Sequence, residues 1–244
     1  MSKYAIECNN VSKSYGNKRV LDDVSLKCIA GDFFGLVGMN GSGKTTLIKT
    51  LLDLTACDHG EIKLFGKSHR MVSARENIAY LPDRFSPPAY LRCKDFLSYM
   101  LALHNSHVEM TRIQQMFEEL ELENDVLNAS VISLSKGMTQ KLGLISCLLS
   151  GKKLLILDEP MSGLDPRARV LFKQQLKKLK ADGASVFFSS HALSDVEELS
   201  DSMSVLHHSK VLFLGSHIEF RQQYGGENLE QAYMNCVGTM VIED

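Results

Sequence analysis

Apolar and polar positions alternate near the start of the chain, in "YAIECNNVSKSYG" from Tyr4 and again in "RVLDDVSLKCIAG" from Arg19, predicting two strands joined at a Gly16-Asn17 turn. The alternation gives way to "DFFGLVGM", a nearly continuous apolar run ending in glycine and suited to a strand buried on both faces. From Gly43 the period becomes helical, with Leu47, Leu51 and Leu54 as the inward stripe, and "GEIKLFGK" predicts one short strand through Ile62 and Leu64.

The pattern shifts at Asp83-Arg84. From there to about Leu149 the apolar residues recur at helical spacing: Phe96, Met100 and Leu103, then Ile113, Met116 or Phe117 and Leu120, then Leu142, Ile145 and Leu149. Strand-like runs return in "KLLILD" and "ASVFFSS", on either side of the helix "PRARVLFKQQLKKLKA", which has Pro166 at its start and Gly183 past its end. "SVLHHSKVLFLGSHIEF" reads as two strands around a His207–Lys210 turn, followed by a helix. The expected fold class is therefore α/β: a core with a parallel sheet, an N-terminal antiparallel β portion and an all-helical insertion. The expected organisation is a single domain over 1–244, with 1–83 and 150–225 as core, 84–149 as helical subdomain and 226–244 as C-terminal tail.

Composition excludes several classes. With 44% hydrophobic and 23% charged residues the chain is neither disordered nor fibrous. Lys+Arg 27 against Asp+Glu 29 gives a net charge of −2, and no basic stripe advertises nucleic acid as a partner. The six cysteines are scattered without a C-x-x-C pair, which predicts reduced thiols in the cytoplasm. No segment approaches the apolar length needed to span a bilayer and no secretion signal opens the chain, so a soluble chain is expected.

Against that background "GMNGSGKTT" stands out, because it is G-x-x-x-x-G-K-[ST] placed between a buried strand and an amphipathic helix. Gly38, Asn40, Gly41, Ser42 and Gly43 allow the backbone N–H groups to turn inward around a phosphate chain. Lys44 brings a cation to the β and γ phosphates, Thr45 a hydroxyl to Mg²⁺, and Thr46 stands within reach of the α phosphate. The plainer reading is a glycine-rich connector. In "LLILDEP" two acids follow a buried run, at the strand end where open α/β sheets bind ligands. Asp158 there suits water-mediated binding of Mg²⁺, and Glu159 suits proton abstraction from an attacking water. "LSKGMTQK" opens a helix at Ser135 and Gly137 with outward N–H groups suited to an anion.

The ordered set "GMNGSGKTT", "LSKGMTQK", "LLILDEP", "SGLDP" and "SSH" resembles the ATP-binding cassette family, specifically the nucleotide-binding subunits of ABC transporters, over essentially the whole chain. The resemblance implies an ATPase using ATP and Mg²⁺. It implies a head-to-tail pair with a second copy or a homologous cassette, in which Ser135 and Gly137 of one chain meet the γ phosphate held by Lys44 of the other. It also implies an integral membrane permease as partner and a place on the inner face of the membrane. Carried over residue by residue, Tyr15 stacks on adenine and Val20 flanks it, His191 contacts the γ phosphate, and Asp165 lies in the loop that communicates across the pair. Two readings stand for Tyr15 (stacking, or a half-exposed strand aromatic) and for Asp165 (communication, a helix N-cap, or both).

The chain departs from the family pattern in places. Asp83 occupies the slot usually held by a glutamine that reaches Mg²⁺ and the attacking water. Lys136 and Met138 replace the usual glycine and glutamine, and Gly163 a common alanine. Lys136 either adds a cation near the partner's phosphate or extends to solvent. Phe85, Tyr90 and Leu91 either form an apolar docking surface for the permease or pack inside the insertion. His104 with His107, and His207 with His208, lack companions for a metal site and are expected on solvated surface. The wording of "YLPD" and "LSKGM" looks closest to ABC-2-type export systems. The alternatives are a soluble cassette acting on nucleic acid or ribosomes, and a small-molecule P-loop kinase, which would have no use for the segment at Ser135.

Overall fold

A computed structural model describes residues 2–238 of the chain. In chain order the elements are β1 (Tyr4–Tyr15), β2 (Lys18–Ile29), β3 (Phe33–Val37), α1 (Lys44–Leu51), β4 (His59–Leu64), β5 (Lys67–Ser68), α2 (Val72–Arg75) and β6 (Ile78–Leu81). Then come α3 (Cys93–Leu103), α4 (Met110–Glu119), α5 (Lys136–Leu148), β7 (Leu154–Leu157), α6 (Pro166–Ala181) and β8 (Ser185–Ser190). The described chain ends with α7 (Leu193–Leu199), β9 (Ser202–His207), β10 (Lys210–Gly215), α8 (His217–Tyr224) and α9 (Leu229–Gly238). The class is α/β, and the residues fall into two compact units, one holding the chain up to Arg75 and from Ser185 on, the other Glu76–Ala184.

In the first unit the N-terminal strands form an antiparallel sheet in the order β2-β1-β4-β5. The alternation in sequence becomes alternation in burial: Ile6, Cys8, Leu26, Ile62 and Leu64 face the core, with Cys8 opposite both Leu26 and Ile62. Strand β3 is buried at all five positions and pairs in parallel with β8 and β9. Phe34 and Phe187, opposite each other in the ladder, stack at 5.3 Å between centroids.

Local turns account for the differences from the pattern. Helix α1 stops at Leu51, because Asp53 turns left-handed at φ 58 and donates to the Thr50 carbonyl. Leu54 therefore leaves the apolar stripe and is 62% exposed. "GEIKLFGK" is a hairpin, β4 to β5, folded at Phe65 and Gly66, both at positive φ. Helix α9 was not expected; it buries Leu229, Ala232 and Cys236, and residues 239–244 of the expected tail lie outside the described residues.

In the second unit β6 pairs in parallel with β7, and α3, α4 and α5 lie between them in sequence. Leu103 is on the exposed side of α3, contrary to its expected place in the apolar stripe, whereas Phe96 and Leu97 are buried. Phe85 meets Phe96 edge-on at 5.7 Å and so packs inside the unit, while Tyr90 remains 84% exposed. No helix among the described residues is long and apolar enough to cross a membrane.

Gly143 shows how tightly α5 is seated. A Cβ there would approach Leu81 Cδ1 to 2.7 Å and the Phe85 ring to 2.8 Å. Alanine improves helix propensity by about 1 kcal/mol, whereas overpacking a buried site costs about 1–3 kcal/mol. Gly143→Ala is thus expected to lower stability, read as a fall in the denaturation midpoint; an unchanged or raised midpoint would mean that Phe85 yields freely.

Candidate functional site

Strand β3 delivers the chain into the loop Gly38–Gly43, and α1 begins at Lys44. Gly43 sits at φ 114, where its absent side chain lets the backbone pass the Val20 carbonyl; a Cβ would lie 2.6 Å from that oxygen. Gly38 is equally constrained, since a Cβ there would collide with the Leu206 carbonyl oxygen. Lys44 is 6% exposed, and its Nζ donates to the carbonyls of Gly38 (2.7 Å) and Met39 (3.3 Å), so the cation braces the loop that it serves. Asn40, Gly41 and Thr45 are exposed and Thr46 is half-buried. The buried hydroxyl of Ser42 has no hydrogen-bond partner among the described residues, which leaves a donor on the loop for an incoming oxygen.

A cavity of about 490 Å³ adjoins this loop, lined by Asn40, Gly41 and Ser42, by Lys18 and Arg19 of β2, and by His207 and His208. His207 is buried rather than solvated as the sequence led one to expect. Its burial, and then the neighbouring His208, hold its pKa below the ordinary histidine value. His104 is likewise half-buried, and its pKa is lowered by burial and then by Lys152.

Tyr15 ends β1 opposite Lys18 and is 51% exposed; Val20 is half-buried. Lys13 Nζ stands 5.4 Å from the centroid of the Tyr15 ring. His191 follows β8 and is exposed, in a turn that Ser190 ties together: Ser190 Oγ accepts from the Ala192 N–H (3.0 Å) and donates to the Ala192 carbonyl (3.2 Å).

The second unit carries the acids. Asp158 is fully buried at the end of β7, its N–H donating to the Leu81 carbonyl at 2.9 Å. Glu159 follows in the left-handed region at φ 49, within a turn closed by Ser162 N–H to the Glu159 carbonyl. Asp83 is exposed. Burial, then the charges of Asp158 and Asp83, push the Tyr80 phenol up to about 12. Tyr80 was not singled out in the sequence.

Ser135 caps α5, its Oγ accepting from the Met138 N–H at 3.2 Å, and is exposed; Gly137 is half-buried. The stem of Lys136 runs over Gly163, whose Cβ, if present, would lie 3.1 Å from Lys136 Cε. A second residue that sequence reasoning missed is Gln140, whose buried amide donates to the Pro160 carbonyl at 3.0 Å and ties α5 to the turn containing Glu159. Asp165 is an N-cap: its carboxylate accepts from the Ala168 N–H at 2.9 Å, and that bond chiefly holds its pKa below the usual carboxylate range.

Comparison with known proteins bears directly on this arrangement. A family model described as ABC transporter matches residues 21–162. Nod factor export ATP-binding protein I of Sinorhizobium fredii (strain NBRC 101917 / NGR234) is 34% identical over 236 residues, covering 94% of this chain and 68% of its own. A solved ATP-binding subunit of an ABC transporter superimposes with a TM-score of 0.87 at 28% identity, over 96% of this chain and 99% of that one. A dimeric ATP-binding cassette in a post-hydrolysis state, bound to ADP and Pi, shares the fold with a TM-score of 0.78 at 21% identity, over 86% of this chain and 98% of that one. A family match across more than half of the chain, with a relative aligned along nearly all of it, places the protein in the ABC transporter family as an ATP-binding ATPase.

Proposed function

We propose that the protein is the ATP-hydrolysing subunit of an exporter. Two cassettes, either two copies or one copy and a homologue, close head to tail around ATP and drive a separate integral membrane permease from the inner face of the membrane. The observation that carries this reading is the braced loop: a buried Lys44 inside a glycine-rich turn at the end of a buried strand, with an unspent Ser42 hydroxyl beside it. Export is supported by the likeness to the Sinorhizobium Nod factor export protein, and pairing by the dimeric cassette of the same fold.

In this reading Gly38, Asn40, Gly41, Ser42, Gly43, Lys44 and Thr46 hold the triphosphate, while Tyr15 and Val20 receive the base. Thr45, Asp158 and Asp83 would hold Mg²⁺; their hydroxyl and carboxylate oxygens are the hard donors that this ion prefers. When bound, Mg²⁺ neutralises charge on the β and γ oxygens. Glu159 takes the proton from the attacking water, and His191 donates to the γ phosphate. Ser135, exposed at the start of α5, and the half-buried Gly137 beside it complete the site of the opposite copy. Tyr90, exposed beside Leu91, offers the permease an apolar contact.

If each site needs a second chain, specific ATPase activity must rise with protein concentration. A hydrogen bond to a charged group contributes about 1.5–3 kcal/mol, so Ser135→Ala is expected to lower turnover by about ten- to a hundred-fold while ATP affinity at low protein concentration stays within about two-fold. Steady-state kinetics over a dilution series, with equilibrium binding, tests both; undiminished turnover in the variant, or activity independent of concentration, would refute the pairing.

A further inference from the structure

We infer that Lys13 and Asp58 form a positioning pair that fixes the Tyr15 ring for stacking against a nucleobase, an inference that rests on the assignment of Tyr15 to the base. Tyr15 lies at the end of a hairpin strand, half exposed, and a phenol ring there has two torsions free unless something holds it. Lys13 is two residues earlier on the same face of β1, and its Nζ stands over the ring at 5.4 Å, within the range of a cation–π contact.

The cation is itself fixed. Its side chain is only 14% exposed, and Nζ donates to Asp58 Oδ1 at 2.9 Å. The other carboxylate oxygen accepts from the Ser14 N–H at 2.7 Å, and the Asp58 N–H donates to the Ser12 carbonyl at 2.9 Å. Asp58 is thus attached to three consecutive residues of the strand that carries Tyr15, and the bonds from Lys13 and then from Ser14 hold its carboxyl below the usual range.

An ion pair that reaches solvent, as this one does at Asp58 (36% exposed), adds little to stability, so the pair is poorly explained as a staple. As a support it has a clear effect. The ammonium covers one face of the ring and draws π density toward itself, leaving the opposite face for an electron-rich purine. The ladder sets Tyr15 beside the phosphate loop's cavity, because Tyr15 pairs with Lys18, which lines that cavity with Asn40, Gly41 and Ser42.

Calorimetric titration of the full chain with ATP and, separately, with inorganic tripolyphosphate isolates the contribution of the base. Lys13→Met is expected to weaken ATP binding by about two- to five-fold, the loss of one cation–π contact, and to leave tripolyphosphate binding unchanged, which also reports that the variant is folded. Lys13→Arg, which keeps the cation, should restore ATP affinity. On a Tyr15→Ala background Lys13→Met should have no further effect. Equal weakening of both ligands would overturn the inference in favour of long-range attraction to phosphate, and so would a selective loss that persists without Tyr15. If Tyr15→Ala weakens ATP alone while Lys13→Met changes nothing, the positioning role fails and the base assignment survives. If Tyr15→Ala spares ATP, the base assignment itself fails.

Discussion

Lys44→Ala should abolish ATP turnover to the limit of detection, a fall of at least about a hundred- to a thousand-fold. Removing one preorganised charge or donor from a phosphoryl-transfer site costs about 3–4 kcal/mol of transition-state stabilisation, which already gives that factor. In this chain a second loss is added. Lys44 Nζ also bridges the Gly38 and Met39 carbonyls, so its removal takes a donor from two carbonyls of the loop as well as a cation from the substrate. Nucleotide affinity should fall with turnover, because the loop loses its brace before any chemistry begins. Release of inorganic phosphate measures the first effect and equilibrium nucleotide binding the second. Normal activity in the variant would remove the loop from the site.

Glu159→Gln should separate binding from hydrolysis. Loss of a general base costs about a hundred- to ten-thousand-fold in rate. Glutamine is isosteric and meets the same left-handed backbone at φ 49 as glutamate does, so the turn with Ser162 should persist. ATP should then accumulate unhydrolysed between two chains. Size-exclusion chromatography in ATP and Mg²⁺ should show about twice the monomer mass, returning to monomer on nucleotide removal. A variant that stays monomeric at saturating ATP would contradict the head-to-tail arrangement, and one that hydrolyses ATP at the parent rate would remove Glu159 from its role.

What could be read from the chain follows the range of the forces involved. The loop at Gly38–Thr46 is legible because local sterics demand glycine at fixed spacing, and the acids Asp158 and Glu159 because they interrupt an apolar run at a strand end. The two long hairpin strands are legible from their alternation. Less was visible where a single residue decides the outcome. Helix α1 carries a stripe that continues through Leu54, but the left-handed turn at Asp53 ends it first. Strand β6 is four residues long and followed by Pro82, too short for its period to register. Long-range polar partners left no trace at all. Nothing near Lys13 points to Asp58, 45 residues away, and nothing near Tyr80 marks it as a phenol that feels the charges of Asp158 and Asp83.

The amide of Gln140 reaches from the first turns of α5 to the carbonyl of Pro160, the residue after Glu159, and it does so where water is excluded. Breaking this buried bond of 3.0 Å leaves polar groups without partners, at a cost of about 1–3 kcal/mol, which opposes independent movement of the two segments that it ties. A tilt imposed on that helix end by a neighbouring molecule is therefore expected to load this bond, and through it the turn that carries Glu159, without passing through the nucleotide.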